Sequence, residues 1–387
     1  MRWSCLSLSL GYDSSAMDEY QQRLDALIGA LKVHGLSGAV VAASDQMRYL
    51  VGWAEAPGER MLALIVQPND GSSLMFVPSL YEDDVRAHVA DFPVVAWHDN
   101  EAWPARLAPE LSGSTISGNL AVDDELASGH LLCLQKAFPG ASWVPLSPIM
   151  AGLRGVKSAD EIARMERSAK VADAVCAQIV PQLEQGVSER TVQQRIIEAF
   201  AAHGATSSWA IVCFGPHTAL PHHRSGDRKL QQGDLVILDL GCCFDGYQSD
   251  ITRTGSFGPP PEDASRIYEI VYEAPVAAMA AARPGVTCES ADAAARTVIA
   301  RNGYGDRFIH RTGHGIGLST HEPPNLVEGD RTVIAPGMCF SDEPGIYLTD
   351  KFGVRIENII SITDDGARSL NAPAPKTLPD WSVKRLP

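Results

Sequence analysis

Between residues 158 and 357 the chain runs through one order of elements twice. Ser158 and Glu161 make a capping box, and behind it Ile162, Met165, Ala169, Ala172, Cys176 and Ile179 recur at helical spacing. Ser188 caps a second helix carrying Val192, Ile196 and Phe200, which His203-Gly204 ends. A loop with His222 and a hairpin with Asp239 and Asp250 follow. Farther on come a helix from about Pro261, another from Thr287 to Asn302-Gly303, a loop with His321, and strands bearing Glu343 and Glu357. The offsets agree: 99 residues from Ser188 to Thr287, 99 from His222 to His321, 104 from Asp239 to Glu343. Two helix–helix–hairpin halves of this kind pack as a pseudo-symmetric pair with both sheets on one core, and their carboxylates then face a common centre.

The region before the repeat has a different texture. Residues 18–34 read as an amphipathic helix with Tyr20, Leu24, Leu27, Ile28 and Leu31 on one stripe. Five β-like runs follow, Gly38–Ala43, Arg48–Val51, Met61–Val66, Leu74–Val77 and Val94–Trp97, with helical character near 79–90 and 124–138. Two prolines make Trp143–Met150 read as a connector. The expected organisation is an extension over 1–16, an α/β domain over 17–150 and the duplicated region over 151–387.

Composition narrows the function classes. The 387 residues carry a formal charge of −15, which repels phosphate backbones and argues against nucleic-acid binding. The longest apolar runs, Met61–Val66 and Ala274–Ala282, fall far short of the roughly 20 residues of a membrane helix. Eight scattered cysteines without a CxxC pair give no disulfide framework and no thiolate zinc site. The N-terminus is too polar for a signal-peptide core. These features read as a soluble, cytoplasmic protein.

The chemistry is concentrated in the repeat. Asp245-Gly246 is a two-residue hairpin turn, so Phe244 pairs with Tyr247 and Asp239 with Thr252. Asp239 and Asp250 then project from one face as diagonal neighbours on an otherwise apolar strand pair, which is costly unless a cation neutralises them. His314 lies among glycines in Gly313-His-Gly-Ile-Gly317, Glu343 precedes Pro-Gly, and Glu357 stands between Ile356 and Asn358. Four carboxylates and one imidazole suit Mn²⁺ or Co²⁺, with Zn²⁺ possible, and four negative charges balance two divalent ions. A metal pair of this kind activates a water and clamps an oxyanion. The GxGxG spacing around His314 lacks the helix that a dinucleotide site requires.

The segments Asp239-Leu-Gly, Ser249-Asp-Ile-Thr-Arg253, Gly313-His-Gly-Ile-Gly-Leu318, Glu343-Pro-Gly-Ile-Tyr347 and Arg355-Ile-Glu357 together resemble the pita-bread metallopeptidases, and within them Xaa-Pro dipeptidases (prolidases) and proline aminopeptidases. The resemblance implies a creatinase-like N-terminal α/β domain followed by a pita-bread catalytic domain. It implies a two-metal centre with Asp250 and Glu357 bridging, Asp239 on one ion, and His314 and Glu343 on the other. It also implies that Glu343 moves a proton, that His321 stabilises the oxyanion and that His222 contacts the substrate. Arg355 would steady the carboxylates from behind, and Arg331 and Tyr49 are weaker candidates for substrate contacts. The expected substrates are proline-containing dipeptides or short peptides, and the expected assembly is a homodimer. A proline aminopeptidase would use the same ligands, whereas a metal-free binding protein of the same fold would not need them. A creatinase-type amidinohydrolase is disfavoured because all five ligands are kept. A methionine aminopeptidase is disfavoured because a separate domain precedes the catalytic one.

Overall fold

The computed structural model describes residues 14–56, 58–89, 92–111 and 117–383. Most of the expected extension lies outside these residues. The first helix, Ser14–Val33, begins three residues before Met17. The chain divides into two compact units, the first ending at Leu153 and the second starting at Arg154, inside helix Ser147–Gly155.

The first unit is built on six strands: β1 Gly38–Ala42, β2 Ala63–Gln67, β3 Ser72–Pro78, β4 Val94–Trp97, β5 Asn119–Val122 and β6 Ser142–Pro145. They form one mixed sheet in the order β4-β3-β2-β1-β5-β6. Strands β1, β2 and β3 pair antiparallel, while β4, β5 and β6 join in parallel. Val40, Ile65, Phe76, Val122 and Leu134 meet in the core on one of its faces.

Two expectations fail here for physical reasons. Arg48–Val51 is helical, as part of Asp45–Val51. Ser44 Oγ caps that helix by accepting from Gln46 N at 3.1 Å, Gly52 closes it at φ +75°, and Met47, Leu50 and Val51 bury one helical stripe. The supposed connector Trp143–Met150 is strand β6 followed by helix Ser147–Gly155. Pro145 is tolerated because β6 lies at the sheet edge, and Pro148 because it falls in a first helical turn. Strand β5 was not anticipated either.

The second unit realises the duplicated order. Helices Ala159–Ile179 and Glu189–Ala202 precede strands β7 Ser207–Phe214, β8 Leu235–Phe244 and β9 Tyr247–Ser256, which pair as an antiparallel meander. Helices Ala264–Ala281 and Cys288–Arg301 precede the second set. Strands β10 Gly313–Gly315, β11 Glu322–Leu326, β12 Cys339–Asp342, β15 Asn358–Thr363 and β16 Gly366–Ser369 form a sheet in the order β11-β10-β12-β15-β16. Strands β13 Gly345–Leu348 and β14 Phe352–Arg355 make a separate hairpin.

Local signals account for much of this. The capping box is complete: Glu161 N donates to Ser158 Oγ at 3.2 Å and Ser158 N to Glu161 Oε2 at 2.7 Å. Ser188 Oγ accepts from Thr191 N at 3.1 Å. Asp245 and Gly246 both take positive φ, +53° and +80°, as a type I′ turn demands, and this sets the register Phe244–Tyr247 and Asp239–Thr252. The helix pairs bury their apolar stripes against the sheets, with Phe200, Phe214 and Leu238 in one cluster and Tyr268, Val271 and Val354 in another.

Candidate functional site

A cavity of about 690 Å³ opens in the second unit, and Asp239, Asp250, His314, Glu343 and Glu357 all line it. Each half of the repeat contributes. Asp239 on β8 and Asp250 on β9 are diagonal neighbours because Asp250 pairs with Gly241 and Asp239 with Thr252. His314 is on β10 at a register shift, Glu343 follows β12, and Glu357 sits between β14 and β15. His314 Nε2 is 3.5 Å from Glu343 Oε1 and 3.9 Å from Asp250 Oδ2.

Fixed hydrogen bonds orient these groups. His314 Nδ1 lies 3.0 Å from the Gly315 carbonyl, which can only accept, so Nδ1 carries the proton and Nε2 turns a lone pair into the cavity. Ser341 Oγ accepts from His314 N at 3.0 Å and donates to Glu343 Oε1 at 3.3 Å. Thr252 Oγ1 donates to Glu357 Oε2 at 2.7 Å and accepts from Arg355 Nε at 3.0 Å. Arg355 Nη2 donates to Asp239 Oδ2, and Nη1 to Tyr347 Oη at 2.9 Å.

The electrostatics show a concentration of negative charge that the protein alone does not neutralise. Burial, then the charges of Glu357, Asp239 and Glu343, push the Asp250 carboxyl well above its ordinary range. Burial and the charges of Glu343 and Asp239 do the same to Glu357. Burial, with Asp239 adding and Arg355 opposing, brings Glu343 up to about 7. Burial and the neighbouring His321 bring His314 down to about 3, leaving it neutral. Among the described residues, Asp250 Oδ1 is buried without a hydrogen-bond partner. Donor atoms of Asp250, His314 and Glu357 all lie within 4.8 Å of one another. An orphaned carboxylate oxygen, hard oxygen donors and uncompensated charge fit divalent cations.

The remaining expected residues divide. His222, His321 and Arg355 line the cavity, with the His321 and His314 rings 4.1 Å apart and near edge-on. Arg331 is elsewhere: its side chain is 86% exposed, 3.9 Å from Glu289, and absent from the cavity lining. Tyr49 belongs to the first unit, buried, with its hydroxyl donating to the Leu153 carbonyl at 3.0 Å and Arg23 4.2 Å over its ring. Trp209, Ile211, His310 and Arg311 line the cavity without having been anticipated. His310 and Arg311 stand within four residues of His314, so proximity to a ligand was the one available signal. Tyr347 was quoted only as part of a motif. It joins Arg355 to His310, whose Nε2 is 2.9 Å from the Tyr347 hydroxyl.

A carboxylate-rich candidate metal site shared between two halves of a duplicated α/β unit is the kind of donor set that metal-dependent hydrolases use. The model of metallopeptidase family M24 matches residues 163–364, and that of the creatinase/prolidase N-terminal domain matches 23–156. The chain belongs to this metallopeptidase family. It is 38% identical over 357 residues to a protein named probable dipeptidase PepE from Mycobacterium tuberculosis, covering 91% of this chain and 94% of that one. Among solved structures it resembles a prolidase from Thermococcus sibiricus (36% identity, TM-score 0.87, 92% and 97% of the two chains). It also resembles dipeptidase PepE from Mycobacterium ulcerans (37%, 0.88, 96% and 100%). An X-Pro aminopeptidase from Thermotoga maritima is less alike in sequence (25%, 0.80, 92% and 99%). Among the described residues no helix is long and apolar enough to cross a membrane.

Proposed function

We propose that the chain is a dinuclear Xaa-Pro dipeptidase, hydrolysing the peptide bond whose nitrogen belongs to proline. The observation that carries this reading is the convergence of five oxygen and imidazole donors, three further histidines and two arginines on one cavity of about 690 Å³, a size suited to a small ligand. Asp239, Asp250, His314, Glu343 and Glu357 would hold the two ions, with Mn²⁺ or Co²⁺ the best match to the donors. Bound divalent ions would supply an activated water and polarise the scissile carbonyl.

The protein's own groups do the rest. Glu343 would take up the proton that the activated water gives up and pass it to the proline nitrogen as that bond breaks. His321, held neutral because burial lowers its pKa, offers an N–H to the developing oxyanion. His222 contacts the substrate beside the scissile bond. Arg311 suits a free C-terminal carboxylate better than Arg331, since it lines the cavity and is held by Asn325 Oδ1 at 3.0 Å. Arg355 fixes Asp239 and, through Thr252, Glu357. A homodimer and a reducing, cytoplasmic setting complete the proposal. The buried thiols Cys176, Cys213 and Cys288, each pushed up in pKa by burial, suit that setting.

The test is hydrolysis of Leu-Pro and of an Xaa-Pro-Yaa tripeptide by Mn²⁺-reconstituted protein, beside metal-free protein and His314→Ala. Metal-dependent cleavage of the dipeptide alone is expected, with at least a hundredfold loss in the variant. Faster tripeptide cleavage would make the protein a proline aminopeptidase. No metal-dependent turnover of either would remove the peptidase reading.

A further inference from the structure

Outside the catalytic cavity, helix Glu189–Ala202 opens with a carboxylate that is completely buried. Each of its oxygens accepts one backbone N–H, from Phe214 on Oε1 and from Gly226 on Oε2, both at 2.9 Å. Each also meets one imidazole. His217 Nδ1 is 2.8 Å from Oε1 and His223 Nε2 is 2.9 Å from Oε2, with the two rings 4.1 Å apart. One donor atom from each of the three side chains falls within a 4.8 Å group. Side-chain exposure rises from 0% at Glu189 to 13% at His223 and 35% at His217, so the group is closed behind the carboxylate and open to water on the His217 side.

Burial works against the charge on Glu189, but the two backbone N–H groups and the two histidines more than offset it and hold the pKa below the ordinary value. The carboxylate is therefore ionised at neutral pH. Each oxygen spends one lone pair on the backbone and turns the other toward an imidazole. Separations of 2.8 and 2.9 Å suit an N–H···O bond. Two ligand atoms each roughly 2.0–2.1 Å from a tetrahedral ion stand about 3.3–3.4 Å apart, so an ion replacing the shared protons would part each pair by about half an ångström. Two imidazoles and one carboxylate with an open side form the donor set of a zinc site that keeps a water position. Its nitrogen share favours Zn²⁺ over Mn²⁺, the reverse of the oxygen-rich catalytic set.

We propose that Glu189, His217 and His223 bind one zinc-class divalent cation apart from the peptidase centre, and that this ion fixes the segment presenting His222. Glu189 already ties the two ends of that segment, Phe214 and Gly226. An ion joining His217 to His223 would close its middle on either side of Pro221 and His222. Those two residues line the catalytic cavity, whereas the three ligands do not. The binding claim stands on this geometry alone, and the coupling to His222 rests on the peptidase reading.

The binding test uses the full-length chain carrying Asp250→Asn and His314→Ala, stripped with chelator, given Zn²⁺ or Mn²⁺ alone and gel-filtered before elemental analysis. About one equivalent of Zn²⁺ should remain, with at least tenfold preference over Mn²⁺, and fall to background when His217→Gln and His223→Gln are added. Zinc at a hundredfold excess over its Kd should raise the thermal midpoint by roughly 5–10 °C only where both histidines are kept. Background zinc from the start, or equal zinc with and without the histidines, overturns the site. If the first variant does not fold, wild type and His217→Gln/His223→Gln are compared, and equal zinc contents again overturn it.

The coupling is read on Mn²⁺-loaded wild type. One equivalent of Zn²⁺ should raise kcat/KM for Leu-Pro at least threefold, and should not do so in His217→Gln/His223→Gln. No rise, or a rise that survives in the variant, overturns the coupling. Absence of Mn²⁺-dependent hydrolysis would instead count against the peptidase reading and leave the zinc count standing.

Discussion

Asp250, Glu343 and Glu357 hold their protons more tightly than free carboxylates because they are buried together, and this gives the metal-free chain a characteristic pH response. For Glu343 the folded pKa is about 7. An unfolded glutamate titrates near about 4.3, so between these values the folded chain binds more protons than the unfolded one. The stability from this group is thus fully present below about pH 4.3 and is lost as pH rises through 7. Glu343→Gln removes the titration and relieves its neighbours. Without metal, the variant should gain on wild type by up to about 3 kcal/mol between pH 4.5 and pH 8, read from urea unfolding. A gap that is flat across that range would show that Glu343 does not carry the proton. The anomaly behind this response was legible in sequence, since acids on apolar strands demand a partner. Arg311 was less so, because nearness to His314 was the one signal that set it apart from a surface arginine such as Arg331.

At the scale of elements, the hairpin β8–β9 fixes the first two carboxylates, and its register depends on one close approach. Gly241 pairs with Asp250, and a Cβ there would stand 2.2 Å from the Ser249 carbonyl oxygen and 2.8 Å from the Trp209 ring. Both obstacles are difficult to move, one being backbone and the other a cavity wall. Gly241→Ala should cost about 1–3 kcal/mol through overpacking and weaken Mn²⁺ binding roughly tenfold or more by parting Asp239 from Asp250. Gly246 is the contrasting case, with positive φ but open space around it. Gly246→Ala should cost about 1 kcal/mol and leave metal affinity unchanged. Denaturant unfolding and metal titration of the two variants check this, and equal metal affinities would refute the argument. Asp245-Gly246 gave this register away in sequence because the turn type restricts the residues. The Gly241 contact left no such trace, since Trp209 approaches from another strand. In the first unit, β5 was hidden because its apolar run, residues 120–122, is only three residues long, β6 because Pro145 and Pro148 read as a break, and Arg48–Val51 resembled a strand because its residues suit either state.

For the whole molecule, the repeat means that ions bound at the five candidate donors would link to folding of the second unit. Asp239 and Asp250 come from the first half, and His314, Glu343 and Glu357 from the second, so cations bound there would tie together segments 64 to 118 residues apart in sequence. This duplication was legible because capping boxes and offsets are local and periodic, whereas the cavity they enclose depends on packing between halves. The first unit, with its own sheet and core, contributes none of the five donors. Binding that acts only on the folded site stabilises by about 2.7 kcal/mol per site at a hundredfold excess over Kd. Removing Mn²⁺ should therefore speed exchange of the slowest amides in β8, β9, β10, β12 and β15 by roughly a hundredfold or more, while those of β1 and β2 change little. Hydrogen exchange followed by mass spectrometry resolves the two sets. Equal loss of protection in both would mean that the ions stabilise the chain as one cooperative body, and no loss in either would mean that the carboxylate cluster is stable without cations.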